Sequence, residues 1–587
     1  MKRLFMVIAF SAVMLWCYSQ KMLRGRVFDA NTNAPLSGAT IIARGMEGIT
    51  TDKDGLFSID CDKIAKITVS FVGYKTVQQA IKDCNEQLNI GLISYSHEMD
   101  AVEITATSNK NKSILYQPES IAKLTKTELK RSTGLFLDDA INENVPGVIM
   151  ERRAVSSGQE FNIRGYGNGS GGTGRISSNF DGQGYKVYLN GIPITDAEGI
   201  TLMDDIDFGS IGNVEVVKGP AGTLYGLAAS GVVNLNTIKP EAGKTSIGQD
   251  VLVGNYGLQR YTTHFEMSTE HSSWLINYGH QFSQGYTIHN NSTKDFANVA
   301  GNFKPNDKQA VDVYFGYSRS YDQRSGELTI AQFTNNDFSG NPDYIKRNGH
   351  SEITSFRMGI GHTYNFSDHI SNTTTVFGTG VVNNSSSAAG WTDKDPINYG
   401  LRSVLNMNFS LSKGYSLSGI SGVEMQQQKA QTIGYTMVKN PSDTASVWTY
   451  GNPYYWIVGA TTSNKYTITG TSSLFSEWTL TMPHDISFTA GLGYSTMKID
   501  LNDRVYVSAN TAPTRFDTSY KKMFSPHLAI NKVFNKQVSV YFSYSKGYKA
   551  PTSSYFYIPF VAAAPGATGI LDNHLKPEIG NQYELGT

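Results

Sequence analysis

From about residue 245 to the last residue, apolar and polar side chains alternate over strand-length runs. No other feature of the chain constrains its fold as tightly. In "QAVDVYFGYSRSYD", Val311, Val313, Phe315 and Tyr317 share one face, and Asp312, Tyr314, Gly316 and Ser318 share the other. "QVSVYFSYSKGY" repeats the scheme, with Val538, Val540, Phe542 and Tyr544 on one side and Ser539, Tyr541, Ser543 and Ser545 on the other. Successive side chains of a strand point to opposite faces, so these runs predict strands with one apolar and one polar face. A single such strand would suit a soluble sandwich equally well. The repetition over hundreds of residues is more telling.

Turns at "FKPNDK" (303–308), "NFSDH" (365–369), "MPHD" (482–485) and "VFNKQ" (533–537) join the runs into hairpins. Long polar stretches, 381–398 and 496–522 among them, are expected to be loops at the opposite end. Short turns at one end, long loops at the other and aromatics at strand ends describe an outer-membrane barrel. The N-terminus agrees with export. "MKRLFMVIAFSAVMLWCYSQ" has Lys2 and Arg3, then an apolar run from Leu4 to Trp16, then small or polar residues, the layout of a signal peptide over residues 1–19. No other apolar run approaches the ~20 residues of a membrane helix. Formal net charge is zero and charged residues make up 17%, so no basic footprint for nucleic acid is present.

Residues 20–95 read as a small β-sandwich, with β-branched runs separated by turn signals such as Asn31 to Pro35 and Asp52 to Gly55. Cys61 and Cys84 lie at its end, and in an oxidising compartment they are candidates for a disulfide. Further on, Phe136, Leu137, Ala140 and Ile141 mark a helix capped by Ser132 or Thr133 and stopped by Pro146-Gly147. "KVYLNGIPITD" predicts a hairpin turning at Asn190-Gly191. The run "VEVVKGPAGTLYGLAASGVVNLNTIKP" (214–240) raises the question of a phosphate-binding loop. Such a loop needs Lys followed by Ser or Thr after its last glycine, and here Leu227-Ala228 follow Gly226. The small residues suit instead a compact sheet packed closely against another wall.

"EFNIRGYG" (160–167), "KVYLNGIPITDAEG" (186–199) and "IGNVEVVKGPAGTLYGLAASGVVNLNTIKP" (211–240) resemble, in order and spacing, the plug of TonB-dependent outer-membrane receptors. "YSKGYKAPTSSYFY" (544–557) and "LKPEIGNQYELG" (575–586) resemble words in those receptors' barrels. The words "GRVFD", "PLSGATI", "TDKDGLFSI" and "SFVGYK" resemble the carboxypeptidase-regulatory-like domain, an N-terminal extension of receptors of the Bacteroidetes type. The resemblance implies a mostly β protein: a transthyretin-like sandwich at 20–95, a TonB box and linker at 98–108, an α+β plug at 109–242 and a transmembrane antiparallel β-barrel at 245–587. Family barrels have ~22 strands, whereas this stretch holds about 14 at ~10 residues per strand, so the sequence is expected to be C-terminally incomplete.

The function so implied is import of a scarce nutrient across the outer membrane, foremost a ferric siderophore, with cobalamin, haem, a metal ion or an oligosaccharide as alternatives. A non-transporting adhesin or docking receptor is the alternative from another class. No enzyme signature stands out, and no cofactor and no resident metal are expected; His264, His271, His280 and His289 fall at odd separations that do not converge. The partners implied are the TonB energy-transducing protein, outer-membrane lipid and a small iron chelate, and a surface lipoprotein is a further candidate because glycan importers with this extension use one. The sandwich would be periplasmic. Ala101, Val102, Glu103, Ile104, Thr105, Ala106 and Thr107 stand where the family carries its TonB box, an extended segment able to add as a strand to a partner's edge. Arg164 and Lys218 match basic plug positions, and Glu477 and Glu584 are their expected carboxylate partners on the barrel. The loops 165–184 and 196–203 are expected to face the substrate, with Tyr166, Arg175, Phe180 and Tyr185 as contacts.

Overall fold

The structure, a computed structural model, describes residues 22–30, 32–43, 48–61, 65–71, 74, 76–81, 83–84, 87–92, 103–104, 107, 112–131, 136–152, 154–167, 182–443, 455–505, 515–558, 570–571 and 574–587. Two compact units result, Met1–Ala101 and Val102–Thr587. Among the described residues no helix is long and apolar enough to cross a membrane.

In the first unit, the strand Met22–Asp29 pairs antiparallel with Leu56–Asp60 and parallel with Gln87–Leu92. A second sheet runs in the order Ile49–Thr50, Thr40–Ala43, Lys66–Ser70, Val77–Ala80. Alternation places Leu23, Val27, Ile41, Ile67, Val69 and Leu92 in one shared core. Cys61 and Cys84 border it and form a disulfide. Ring closure over a separation of 23 residues restricts the unfolded chain. Replacing both cysteines with serine is expected to cost this unit about 3 kcal/mol, measured as an earlier denaturant midpoint for the N-terminal transition of the full chain.

The second unit is an antiparallel sheet of 14 strands, from Thr245–Val253 to Glu578–Gly586, that surrounds a smaller domain. Each strand pairs with the next in chain order, except that the last pairing, Val538–Lys549 with Glu578–Gly586, skips the separate two-stranded ribbon Tyr557–Ile558 and Ile570–Leu571. Exposure follows the predicted parity: Phe315 and Tyr317 face outward while Tyr314 is buried, and Val538, Val540 and Phe542 face outward. The stretches expected as long loops differ from that reading. Residues 381–398 are the continuation of two strands, Ile370–Ser387 and Gly390–Ser410, paired from Ser387↔Gly390 onward. Residues 496–503 and 515–522 likewise extend the strands Ile486–Asp503 and Arg515–Phe534. Beyond a lipid band both faces of a strand meet water, so the apolar alternation that marks a strand disappears while its backbone pairing persists.

Inside lies the plug. Its main sheet runs in the order Ile121–Leu124, Ile211–Lys218, Gly231–Thr237, Tyr185–Leu189, Ile192–Pro193. The hairpin turns at Asn190 and Gly191, both at positive φ (49° and 77°), as a two-residue turn requires. The helix Leu137–Asn144 carries Leu137, Ala140 and Ile141 into the core, and Phe136 is the cap position. The expected caps Ser132 and Thr133 lie outside the described residues.

Candidate functional site

The glycine-rich run answers its own question at the wall. Gly222–Tyr225 forms one helical turn between the strands Ile211–Lys218 and Gly231–Thr237. A Cβ on Gly222 would stand 2.5 Å from the Ser525 hydroxyl, and one on Gly226 would collide with that of Ser473. Gly226 also has φ 71°, which L side chains rarely adopt. Thr223 donates to the Ser525 carbonyl at 2.8 Å. These small residues let the plug touch the wall backbone to backbone.

Paired charges complete the seat. Lys186 of the plug meets Glu424 of the wall at 2.6 Å, Arg402 reaches the same carboxylate at 2.7 Å, and the Tyr188 hydroxyl donates to it at 2.8 Å. The Arg402 guanidinium lies over the rings of Tyr188, Tyr225 and Phe475, at 4.7 Å from the last. All of these charged groups are buried. A second group comes from "MDDID": Arg357 forks onto Asp205 at 2.8 and 3.2 Å, and Arg260 pairs with Asp207. A third is Asp322 of the wall, which accepts from Ser157, from Ser292 and from the Ser156 backbone at 2.7, 2.7 and 3.2 Å. Sequence reasoning missed all of these. The available signal was a lone Arg or Glu at the polar parity of an otherwise ordinary strand, as in "LRSVL" and "GVEMQ".

Between plug and wall a cavity of about 640 Å³ is lined by Asn190, Asn234, Asn236, Asn302, Asn406 and Arg402. Residues 241–587, more than half of the chain, match the TonB dependent receptor-like β-barrel family, and 113–233 match the TonB-dependent receptor plug domain. The chain belongs to the TonB-dependent receptors. Residues 23–120 match the CarboxypepD_reg-like domain. Among solved structures the receptor resembles the ferric preacinetobactin receptor BauA of Acinetobacter baumannii, with TM-score 0.61 and 16% identity over 83% of this chain and 70% of that one. It also resembles the ferric citrate transporter FecA, with TM-score 0.62 and 13% identity over 76% and 65%. Of curated proteins, the vitamin B12 transporter BtuB of Vibrio vulnificus is 23% identical over 48% of this chain, a match spanning 41% of the transporter's own length.

The receptor distributes the predicted site residues unevenly. Arg164 meets Glu584 at 3.1 Å and Gln582 at 2.8 Å. Glu477 accepts from His527, two strands along the wall, at 2.7 Å, and neither Arg164 nor Lys218 reaches it among the described residues. Lys218 instead donates to the Pro146 carbonyl at 3.2 Å. The physical reason is reach: the imidazole sits between Glu477 and the plug and meets Glu119 on its other side at 3.6 Å. Tyr185 is fully buried and its hydroxyl accepts from the Phe161 backbone at 3.0 Å, so it is a core residue and not a substrate contact. All five residues of its strand are buried. Tyr166 donates to Glu578 of the wall, and Arg175 and Phe180 lie outside the described residues. The loop expected at 196–203 is also turned to the wall: Gln428 donates to Asp196 at 2.6 Å and Thr469 to Glu198 at 3.1 Å. Of the residues expected to form a TonB box, Glu103–Ile104 pair with Lys112–Ser113, and Thr107 donates to Gln117 at 2.6 Å. Ala101, Val102, Thr105 and Ala106 lie outside the described residues.

Truncating Glu424 to Ala is expected to unseat the receptor's plug, because two buried cations lose their counter-ion, a loss of about 3–5 kcal/mol. Protease digestion of the plug under native conditions reads this directly. Burial also raises the carboxyls of Asp204 to about 6, and of Asp196, with Glu198 adding, to about 7. In an unfolded chain such groups titrate near about 4. Their ionisation therefore opposes plug seating, which is strongest at low pH and weakens as pH rises through these raised values. Asp196→Asn keeps an acceptor for the Glu198 and Ile200 N–H groups. It is expected to flatten the fall in melting temperature between about pH 5 and pH 8.

Proposed function

We propose that this receptor imports a ferric siderophore across the outer membrane, energised by the TonB protein pulling on its box. The observation that carries this reading is the segment directly after the box, which clamps plug to wall at the short-turn end. Lys112 reaches Thr481 at 3.3 Å, Tyr116 donates to Asp485 at 3.4 Å, and Asn531 donates to the Leu115 carbonyl at 2.9 Å. Glu119 then meets His527. A strand-adding partner at Glu103–Ile104 would either displace Lys112–Ser113 or pair on the other edge of the same short ribbon. Its pull would reach these four wall contacts before the buried ion pairs. Burial raises the Glu119 carboxyl to about 7 against the lowering field of His527, with Glu477 and Glu584 adding to the rise.

The choice of ferric siderophore is supported by the similar structures named for ferric chelates, BauA and FecA among them. A ferric yersiniabactin uptake receptor from Yersinia pestis adds to these, with TM-score 0.58 and 14% identity over 83% of this chain and 71% of that one. The sequence match to a vitamin B12 transporter supports cobalamin as the second reading.

The test is uptake of labelled ferric siderophore by cells whose own receptor is deleted and which express this gene, with and without Ile104→Pro. Uptake is expected to be lost in the variant at unchanged surface abundance, since proline removes a ladder donor from the box strand. Uptake that survives the substitution would sink the energised mechanism. No uptake of ferric siderophore above the deletion strain, with uptake of labelled cobalamin in parallel, would turn the assignment to the second reading.

A further inference from the structure

The outward face of the wall carries a groove of about 1240 Å³ that crosses the strands between Ile370–Ser387 and Arg515–Phe534. One half is apolar. Val376, Tyr399, Leu401 and Met425 line it with 38% to 60% of their surface exposed, and Gly470, opposite exposed Gln427, leaves space beside them. The other half is polar and lies toward the end away from the short turns, where Thr496, Lys498, Ser519 and Lys521 line it.

A β-bulge builds that polar half. Pairing between Ile486–Asp503 and Arg515–Phe534 shifts between Ser495↔Met523 and Met497↔Tyr520. Met523 and Tyr520 both pack inward with Met497. The two residues between them, Lys521 and Lys522, are therefore both exposed, and Lys522 takes φ 64°. Lys498, opposite Ser519 in register, is exposed beside them. Three lysines thus stand exposed around the bulge, Lys498 and Lys521 lining the groove and Lys522 next to Lys521 in the chain. They sit just above the ring pair Tyr494–Phe524, with centroids 5.0 Å apart, and above exposed Leu492 and Leu528. Nearby carboxylates do not cancel their charge. Asp500 is engaged by Arg515 at 2.6 Å, which leaves Asp517 as the one carboxylate lining the groove. None of the three lysines is in an ion pair among the described residues.

Aromatic rings mark the membrane–water boundary of a barrel, and long loops mark its external end. An apolar slot below that boundary, continuous with a lysine cluster above it, matches an amphiphile with an anionic head. Lysine clusters at this level recognise lipid phosphates. We propose that this groove binds one phosphate-bearing lipid of the outer leaflet, its acyl chain along Val376, Leu401 and Met425 and its phosphate on Lys498, Lys521 and Lys522. The site does not depend on which solute the receptor carries.

The experiment is native mass spectrometry of the full chain in detergent, titrated with bis-phosphorylated lipid A and with the same lipid after dephosphorylation. One phosphorylated lipid per chain is expected to survive gentle activation. The K498Q/K521Q/K522Q variant is expected to retain it about a hundredfold more weakly, roughly fivefold per lysine. To separate lost charge from misfolding, K498R/K521R/K522R is measured beside it and is expected to keep the lipid. Lys536→Gln, in the turn at the opposite end, is expected to change nothing. Equal retention by the triple glutamine variant, or equal retention of the dephosphorylated lipid, overturns the proposal. Displacement of the lipid by millimolar inorganic phosphate would show a simple anion patch and overturn it as well.

Discussion

A strand that faces lipid on one side must turn every second side chain the other way, and the rest of this structure depends on that constraint. Backbone groups in a bilayer have no water to bond to, so a spanning sheet pairs each strand to the next. Apolar residues then occupy the outward parity, and the inward parity is left free to be polar. In this receptor it carries Glu424, Arg402, Arg357, Arg260 and Asp322. An unpaired charge there would be costly, and the plug supplies its counterparts: Lys186 for Glu424, Asp205 for Arg357, Asp207 for Arg260. The plug is thus held by paired charges in the wall's polar interior as well as by apolar contacts such as Leu224 with Ile420 and Phe475.

A seat made of ion pairs and close backbone contacts differs from an apolar seat in how it gives way. A hydrophobic core yields area gradually, whereas a charge pair is lost over an ångström or two, and water can replace its partners as it opens. The contacts are also arranged in sequence along the chain. Residues 112–119 meet the wall first after the proposed box, and the ion pairs of residues 186–207 come later. For the import proposed above, that order lets a pull at one end release the plug in steps, each within reach of modest work.

The same wall shows how one inserted residue changes an outer surface. The bulge at Lys521-Lys522 keeps Met523 and Tyr520 inside while placing two consecutive side chains outside. No change in hydrophobicity announces it, because the apolar inward residues on both sides continue as before.

What the sequence determined by itself is what period and turn chemistry carry. The two-residue alternation named the barrel strands and their outward faces, Asn190-Gly191 named the plug hairpin, and the small residues of 211–240, with Leu227-Ala228 where a phosphate loop needs Lys-Ser or Lys-Thr, pointed to a close approach and away from a phosphate site. Even so, that reading failed where strands leave the lipid: at 381–398 both faces are wet and the backbone pairing leaves no mark in residue type. Side-chain partners were decided only by the tertiary structure. Glu477 pairs with His527 and not with the expected Arg164 or Lys218, Tyr185 is sealed in the core, and Glu424 gathers two cations from positions 186 and 402. A strand's period says which way a side chain points. Which charge stands opposite depends on how far the wall curves and how deep the plug sits, and no local stretch of sequence encodes either.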